Sequence, residues 1–243
     1  MKKLKILAAD RGIMQNTDFT GFMLFNHGKQ GTRRPGKFGP LYVFNDDTLF
    51  AGSHLGMHPH SDVEIVTIMI TGVESHQDTL EAHDNYFAGD VQLISSGNGI
   101  MHSGGNPSAD SDARHLQIWV QPRELGNPPH VSVLKSSEKH ALNGPEILIV
   151  SPETIHGSLK IDQDLWISEL LLEPGHPYNL SPRKNGNGLL IYIVYGEMIT
   201  VIDEELRAGD ALFLKEWEEI TFLGTQISAS LILIETILPD DDD

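Results

Sequence analysis

Apolar residues in this chain come in short runs rich in Val, Ile, Leu, Phe and Tyr, broken by Gly, Asn, Asp and Pro, with no sustained helical period. Residues 41–44, 67–72, 117–120 and 191–196 all have this character, and Asn45-Asp46-Asp47 reads as a turn closing the first of them. That rhythm predicts an all-β chain of sandwich or barrel type. Residues 57–70 read as one long strand. Its even positions, His58, His60, Asp62, Glu64, Val66, Ile68 and Ile70, run from ligand-like to apolar, as expected of a barrel-lining face. Its odd positions, including Met57, Val63, Ile65 and Met69, form a second apolar face suited to packing against another domain.

A weak repeat divides the chain. Ala88-Gly89-Asp90-Val91-Gln92-Leu93-Ile94 returns as Ala208-Gly209-Asp210-Ala211-Leu212-Phe213-Leu214, and each copy follows an apolar run ending in glycine, Gly72 and Gly196. Two related β-domains are expected: residues 1–125, a connector over 126–145 in Pro- and Gly-rich surroundings, and residues 146–243 ending in an acidic tail at 240–243. The repeat also assigns the chemistry to one half. The positions of the second half equivalent to His58 and His102 are Pro182 and Phe222, whose side chains bind no metal, so the second domain is expected to be structural.

The formal net charge is −17, and between Lys37 and Arg114 there are eleven Asp and Glu without one Lys or Arg. Such a surface excludes nucleic acid and anionic membranes as partners. The acidity reads first as solubility, second as attraction of cations. Lys29, Arg33, Arg34 and Lys37 sit in a Gly- and Pro-rich stretch, 29–40, that reads as a solvated loop. There is no cysteine, so disulfides, thiolate ligands and thiol nucleophiles are excluded. The basic start, Met1 to Lys5, precedes too short an apolar run for an export signal, and no stretch has the length of a membrane span. A cytoplasmic protein, monomeric by default, is the expectation.

Histidine carries the chemistry. His58 and His60 share one strand face, and Gly97-Asn98-Gly99-Ile100-Met101-His102 brings a third imidazole some forty residues later. Three imidazoles predict a metal corner for a divalent transition metal, with iron, manganese, cobalt, nickel, copper and zinc all acceptable. His76 and Asp78 read either as a pair orienting a ligand or substrate or as polar residues at a strand end. His54, His83 and His115 have no such spacing and are expected to be structural or at the surface. Trp119 is a candidate pocket wall.

These residues resemble the cupin superfamily: Gly52, His58-Pro59-His60 and Glu64 follow its first motif with Gly72 closing it, and Gly99, His102 and Asn106 follow the second. More narrowly, Phe38-Gly39-Pro40-Leu41, His76-Gln77-Asp78, Gly97 to Ser103, Asn106-Pro107-Ser108 and Gly157-Ser158-Leu159-Lys160 resemble the pirin family, above all its bacterial quercetin 2,3-dioxygenase-like members. The resemblance implies a bicupin, two facing β-barrels with the metal in the first only, held by His58, His60, His102 and a glutamate two residues after the last. In this chain that position is Gly104. Water or substrate then fills the open position, or Glu64 swings in as an oxygen ligand, or the site has lost metal; Gly104→Glu is expected to restore binding. The implied reaction is O2-dependent opening of a flavonol ring with loss of carbon monoxide, Glu64 serving as the base and His76 as a weaker candidate. The alternatives implied are a redox-responsive regulatory protein with a protein partner and a metal-free small-ligand binder.

Overall fold

The structure, a computed structural model, describes residues 1–26, 34–139, 144–200 and 204–239. The basic residues Lys29 and Arg33 and the acidic tail at 240–243 lie outside them. The regular structure of the described chain is almost all strand and forms two barrels, each combining a seven-stranded with a four-stranded sheet. In the first barrel the large sheet runs in the order His130–Leu134, Val91–Ser95, Glu64–Thr71, Ala113–Val120, Leu41–Leu49, Phe19–Met23, Gly12–Gln15. Its small sheet is His54–His60, Ile100–Gly105, Val73–Asp78, His83–Phe87. The second barrel's large sheet is Lys2–Ile6, Ala211–Lys215, Gly188–Tyr195, Ala229–Thr236, Leu165–Leu172, Glu146–Ser151, Leu159–Lys160. Its small sheet contains Pro177–Leu180, Ile220–Gly224, Glu197–Thr200 and Glu205–Arg207.

The largest apolar core lies between the barrels rather than inside either. Val66, Ile68, Leu93, Leu116 and Ile118 of the first large sheet are buried in one cluster with Ile167, Leu190, Tyr192, Phe213, Ile232 and Ile234 of the second. Each such side chain contributes about 1.5–3 kcal/mol relative to its exposed state, so the two sheets are held together along their whole facing area. This reverses the expected faces of residues 57–70, because they are not one strand. His54–His60 belongs to the small sheet and Glu64–Thr71 to the large one, with a corner between them where Asp62 has φ 53°. Beyond the corner the even positions face the other barrel. The odd ones turn into their own: Thr67 lines its cavity and Met69 packs in a local cluster with Leu49 and Tyr86.

Asn45-Asp46-Asp47 is likewise not a turn; Leu41–Leu49 is one continuous strand with all three residues buried. Their charges are matched. Asp46 accepts hydrogen bonds from Arg114 (Nε 2.7 Å, Nη2 2.9 Å), Arg11 (3.1 Å) and the Tyr192 hydroxyl (2.5 Å), the last reaching over from the second barrel. Burial alone would raise its pKa, but the guanidinium groups hold it below the usual carboxylate value.

The repeat has a structural role that spacing alone did not reveal. Gly89 and Gly209 adopt φ 87° and 85°, a turn conformation that favours glycine. Their amides donate to Met69 O and Ile193 O at the same distance, 2.8 Å. The aspartate after each glycine then receives the end of a strand exchanged between the halves. Lys2–Ile6 begins the chain but pairs with Ala211–Lys215, and the Ala8 amide donates to Asp210 (2.7 Å). His130–Leu134, in the stretch expected to be connector, pairs with Val91–Ser95, and the Ser136 amide donates to Asp90 (2.9 Å). Each half thus lends its leading strand to the other.

Glu64 sits at the inter-barrel face, 3% exposed, accepting a hydrogen bond from Ser95 Oγ at 2.7 Å. Burial pushes its pKa up to about 7, and the Asp162 carboxylate from the other half adds to the rise. A carboxyl whose folded value is raised stabilises the fold fully below its ordinary value of 4.5 and loses that contribution as pH rises through 7. Glu64→Gln is therefore expected to match wild type in urea midpoint near pH 4.5 and to exceed it above pH 7. An equal gap at both pH values would refute the assignment.

Candidate metal centre

His54–His60 and Ile100–Gly105 are antiparallel neighbours in the small sheet, in register His58↔His102 and His60↔Ile100. Residues two apart share a strand face, so His58 and His60 stand side by side and His102 stands across from His58. The ring centroids are 4.4 Å apart for His58–His102 and 5.0 Å for each of the other pairs. One nitrogen from each ring lies within 4.8 Å of the others, the only such triad of metal-binding side chains among the described residues. His58 Nδ1 lies 2.8 Å from Gly56 O, which fixes the ring and leaves Nε2 free to bind.

The electrostatics suit a cation. His102 Nε2 is buried without a hydrogen-bond partner, a position that is costly for a polar atom unless a ligand completes it. Burial, then repulsion from the neighbouring histidines, lowers the pKa of His60 and takes that of His102 down to about 3. His60 and His102 are thereby biased to the neutral form, the form that binds metal. The residues fit one divalent ion with three nitrogen ligands.

Behind His102, on the adjacent strand Val73–Asp78, His76 lies with its ring centroid 5.5 Å away and its Nε2 2.8 Å from Asp78 Oδ2. Asp78 also accepts from the Leu80 and Ala82 amides. Burial opposes its ionisation, but these bonds hold its pKa down. His58 and His102 open onto a cavity of about 800 Å³ inside the first barrel, a volume that accepts a small organic ligand. Trp119 and Tyr42 line it, with Trp119 edge-on to His60 at 5.0 Å and its Nε1 donating to Gln117 at 3.0 Å.

Gly104 also lines the cavity, just past a β-bulge between His102 and Gly104. A Cβ at this position would lie 2.8 Å from the Ser75 carbonyl oxygen and 3.4 Å from Glu74 Oε1. The bulge presses the strand onto its neighbour, so Gly104→Glu adds steric conflict with backbone and a second carboxylate where one already stands. The expectation that it restores binding does not fit this backbone. Glu64 is absent from the cavity wall; after the corner at Asp62 it faces the other barrel.

Two residues that spacing did not single out occupy the cavity floor. His115 is 2% exposed, with Nδ1 2.6 Å from Glu74 Oε2 and Nε2 3.6 Å from Asp47 Oδ2. Burial works against its charge, yet the two carboxylates raise its pKa to about 10, so it is an imidazolium at neutral pH. The available signal was strand parity: His115 alternates with Gln117 and Trp119, and Glu74 with His76 and Asp78. In the second barrel, Phe222 is packed in its apolar interior, as the repeat implied.

Residues 4–120 match the pirin family and residues 148–236 the quercetinase C-terminal cupin domain. Among curated relatives, the quercetin 2,3-dioxygenase of Escherichia coli K12 is 39% identical over 184 residues, 75% of each chain. A pirin-like protein of Caulobacter vibrioides is 30% identical, covering 82% of this chain and 84% of its own. A crystal structure of the bacterial pirin YhhW from Escherichia coli in complex with nickel(II) superposes with a TM-score of 0.89 at 26% identity, over 98% of this chain and all of the other.

Two substitutions test the site. His102→Ala is expected to abolish metal retention, read by elemental analysis, while circular dichroism stays that of a folded β-protein; full metal content in the variant would refute the ligand set. Gly104→Ala is expected to cost about 1–3 kcal/mol in denaturant stability from overpacking against Ser75 O. No loss would mean that the bulge relaxes.

Proposed function

The chain belongs to the pirin family of two-barrel cupins, and on that premise we propose that it is a metal-dependent dioxygenase of the quercetin 2,3-dioxygenase type. Its substrates would be O2 and a flavonol or similar small hydroxylated ketone. One observation carries the reading: three imidazoles converge, one with a buried, unpartnered nitrogen, and two of them line a cavity large enough for such a ligand.

His58, His60 and His102 would hold the ion. The metal, when bound, supplies a Lewis acid and a route for electrons between organic substrate and oxygen. The chain supplies the rest. His76, fixed by Asp78, backs His102. Trp119 and Tyr42 offer aromatic faces that hold a flat ring system and exclude water. Gly104 leaves one side of the site without a side chain, so the position that the family gives to glutamate is open to a chelating ligand. Iron is the first candidate, and nickel, manganese, cobalt, copper or zinc would also suit three nitrogens. No described helix is long and apolar enough to cross a membrane, and the proposed setting is the cytoplasm.

The test is elemental analysis of protein purified without added metal, followed by quercetin under air with absorbance and carbon monoxide recorded. About one metal per chain is expected, with ring opening that stops on chelation and returns on reconstitution. A metal-free protein that turns over no quercetin after reconstitution would overturn the reading.

A further inference from the structure

We infer that Glu74 is the proton acceptor of this site, taking over from the strand Val73–Asp78 the acid–base work that Gly104 cannot do. The inference rests on the metal-centre reading above and extends it to a residue outside the histidine motifs. Three observations carry it. Glu74 and Gly104 line the same cavity as His58 and His102. Glu74 Oε1 stands 3.4 Å from where the Cβ of any side chain at 104 would be, beside the space that such a side chain would enter. Its other oxygen, Oε2, is held by His115 Nδ1 at 2.6 Å. One oxygen is therefore held by His115, and the other stands beside Gly104 at the cavity wall.

The clamp is cationic and buried. His115 lies between Glu74 and Asp47, with Asp47 Oδ2 3.6 Å from Nε2. A charge in that position is sustained only by its two carboxylates, so Glu74 is fixed in place as strongly as His115 is. Glu64, the other carboxyl considered for this work, faces the second barrel. His76 is engaged with Asp78 through Nε2. The step itself is a simple transfer: the ligand O–H bond breaks, its electron pair stays on the ligand oxygen, and the proton forms an O–H bond on Glu74 Oε1. No electron changes hands, and the linked group of Glu74, His115 and Asp47 gains one proton.

The experiment loads the protein with zinc, which is redox-inert, and titrates it with a hydroxypyranone, the chelating ring of a flavonol without its oxidisable remainder. Calorimetry in buffers of differing ionisation enthalpy counts the protons released on binding. In wild type the hydroxyl proton stays on Glu74, so none is released and affinity is flat with pH. In Glu74→Gln about one proton per site leaves to buffer, and affinity rises about tenfold per pH unit below the pKa of the chelator. Glu64→Gln is the control and behaves as wild type. Equal proton release in wild type and Glu74→Gln, with zinc bound one to one in both, overturns the assignment alone. Loss of zinc from Glu74→Gln also overturns it, since Glu74 would then be holding the metal rather than a proton. Failure of the chelator to bind zinc-loaded wild type overturns the metal-centre reading, and this inference with it.

Discussion

The two large sheets turn apolar faces to one another, and neither face can be left in water. Val66, Ile68, Leu116 and Ile118 on one side and Leu190, Tyr192, Ile232 and Ile234 on the other form one core, so the barrels are halves of a single packing problem. Much else follows from that commitment. Once the even face of Glu64–Thr71 is given to the interface, its odd face must line the first barrel, and the cavity wall is set. Asp46 can be buried mid-strand because Tyr192 and the guanidinium groups of Arg11 and Arg114 meet it there. The histidine cluster lies on the other, smaller sheet, away from this pressure, where a corner and a bulge can be accommodated.

Within the first barrel, charge is partitioned over short distances. Burial and the neighbouring histidines disfavour a proton on His60 and His102, while His115, also buried, keeps its own because two carboxylates face it. The same side-chain type is thus a neutral donor at one wall of the cavity and a cation at another. Gly104 and Glu74 belong to the same arrangement. The bulge that seats His102 against His58 leaves no room for a Cβ two residues later, and the nearby carboxylate enters from the neighbouring strand instead.

Much of this was legible in the residues. The repeat around Asp90 and Asp210 announced two β-domains, and the spacing of His58, His60 and His102 announced a centre in the first, because a strand period of two and a glycine-framed turn leave clear marks in sequence. The failures have a common cause. Asn45-Asp46-Asp47 imitates a turn because the groups that satisfy Asp46, the guanidinium groups of Arg11 and Arg114 and the Tyr192 hydroxyl, are far away in sequence. Glu64 seemed to share the histidine face because a left-handed residue at Asp62, which is not a glycine, breaks the strand without announcing it. His115 and Glu74 escaped notice because each acquires its role only from the other, across two different sheets.

The exchange of leading strands has a further consequence for how the chain comes into being. Lys2–Ile6 is synthesised long before its partner, Ala211–Lys215. Through nearly all of synthesis the first segment has no sheet to join, and the first barrel's apolar outer face has nothing to cover it. Pairings of such long range are slow to form, and unpaired edges are where nascent chains associate wrongly. The second barrel therefore needs a strand made before the first, and the apolar outer face of the first is covered only once the second large sheet has formed.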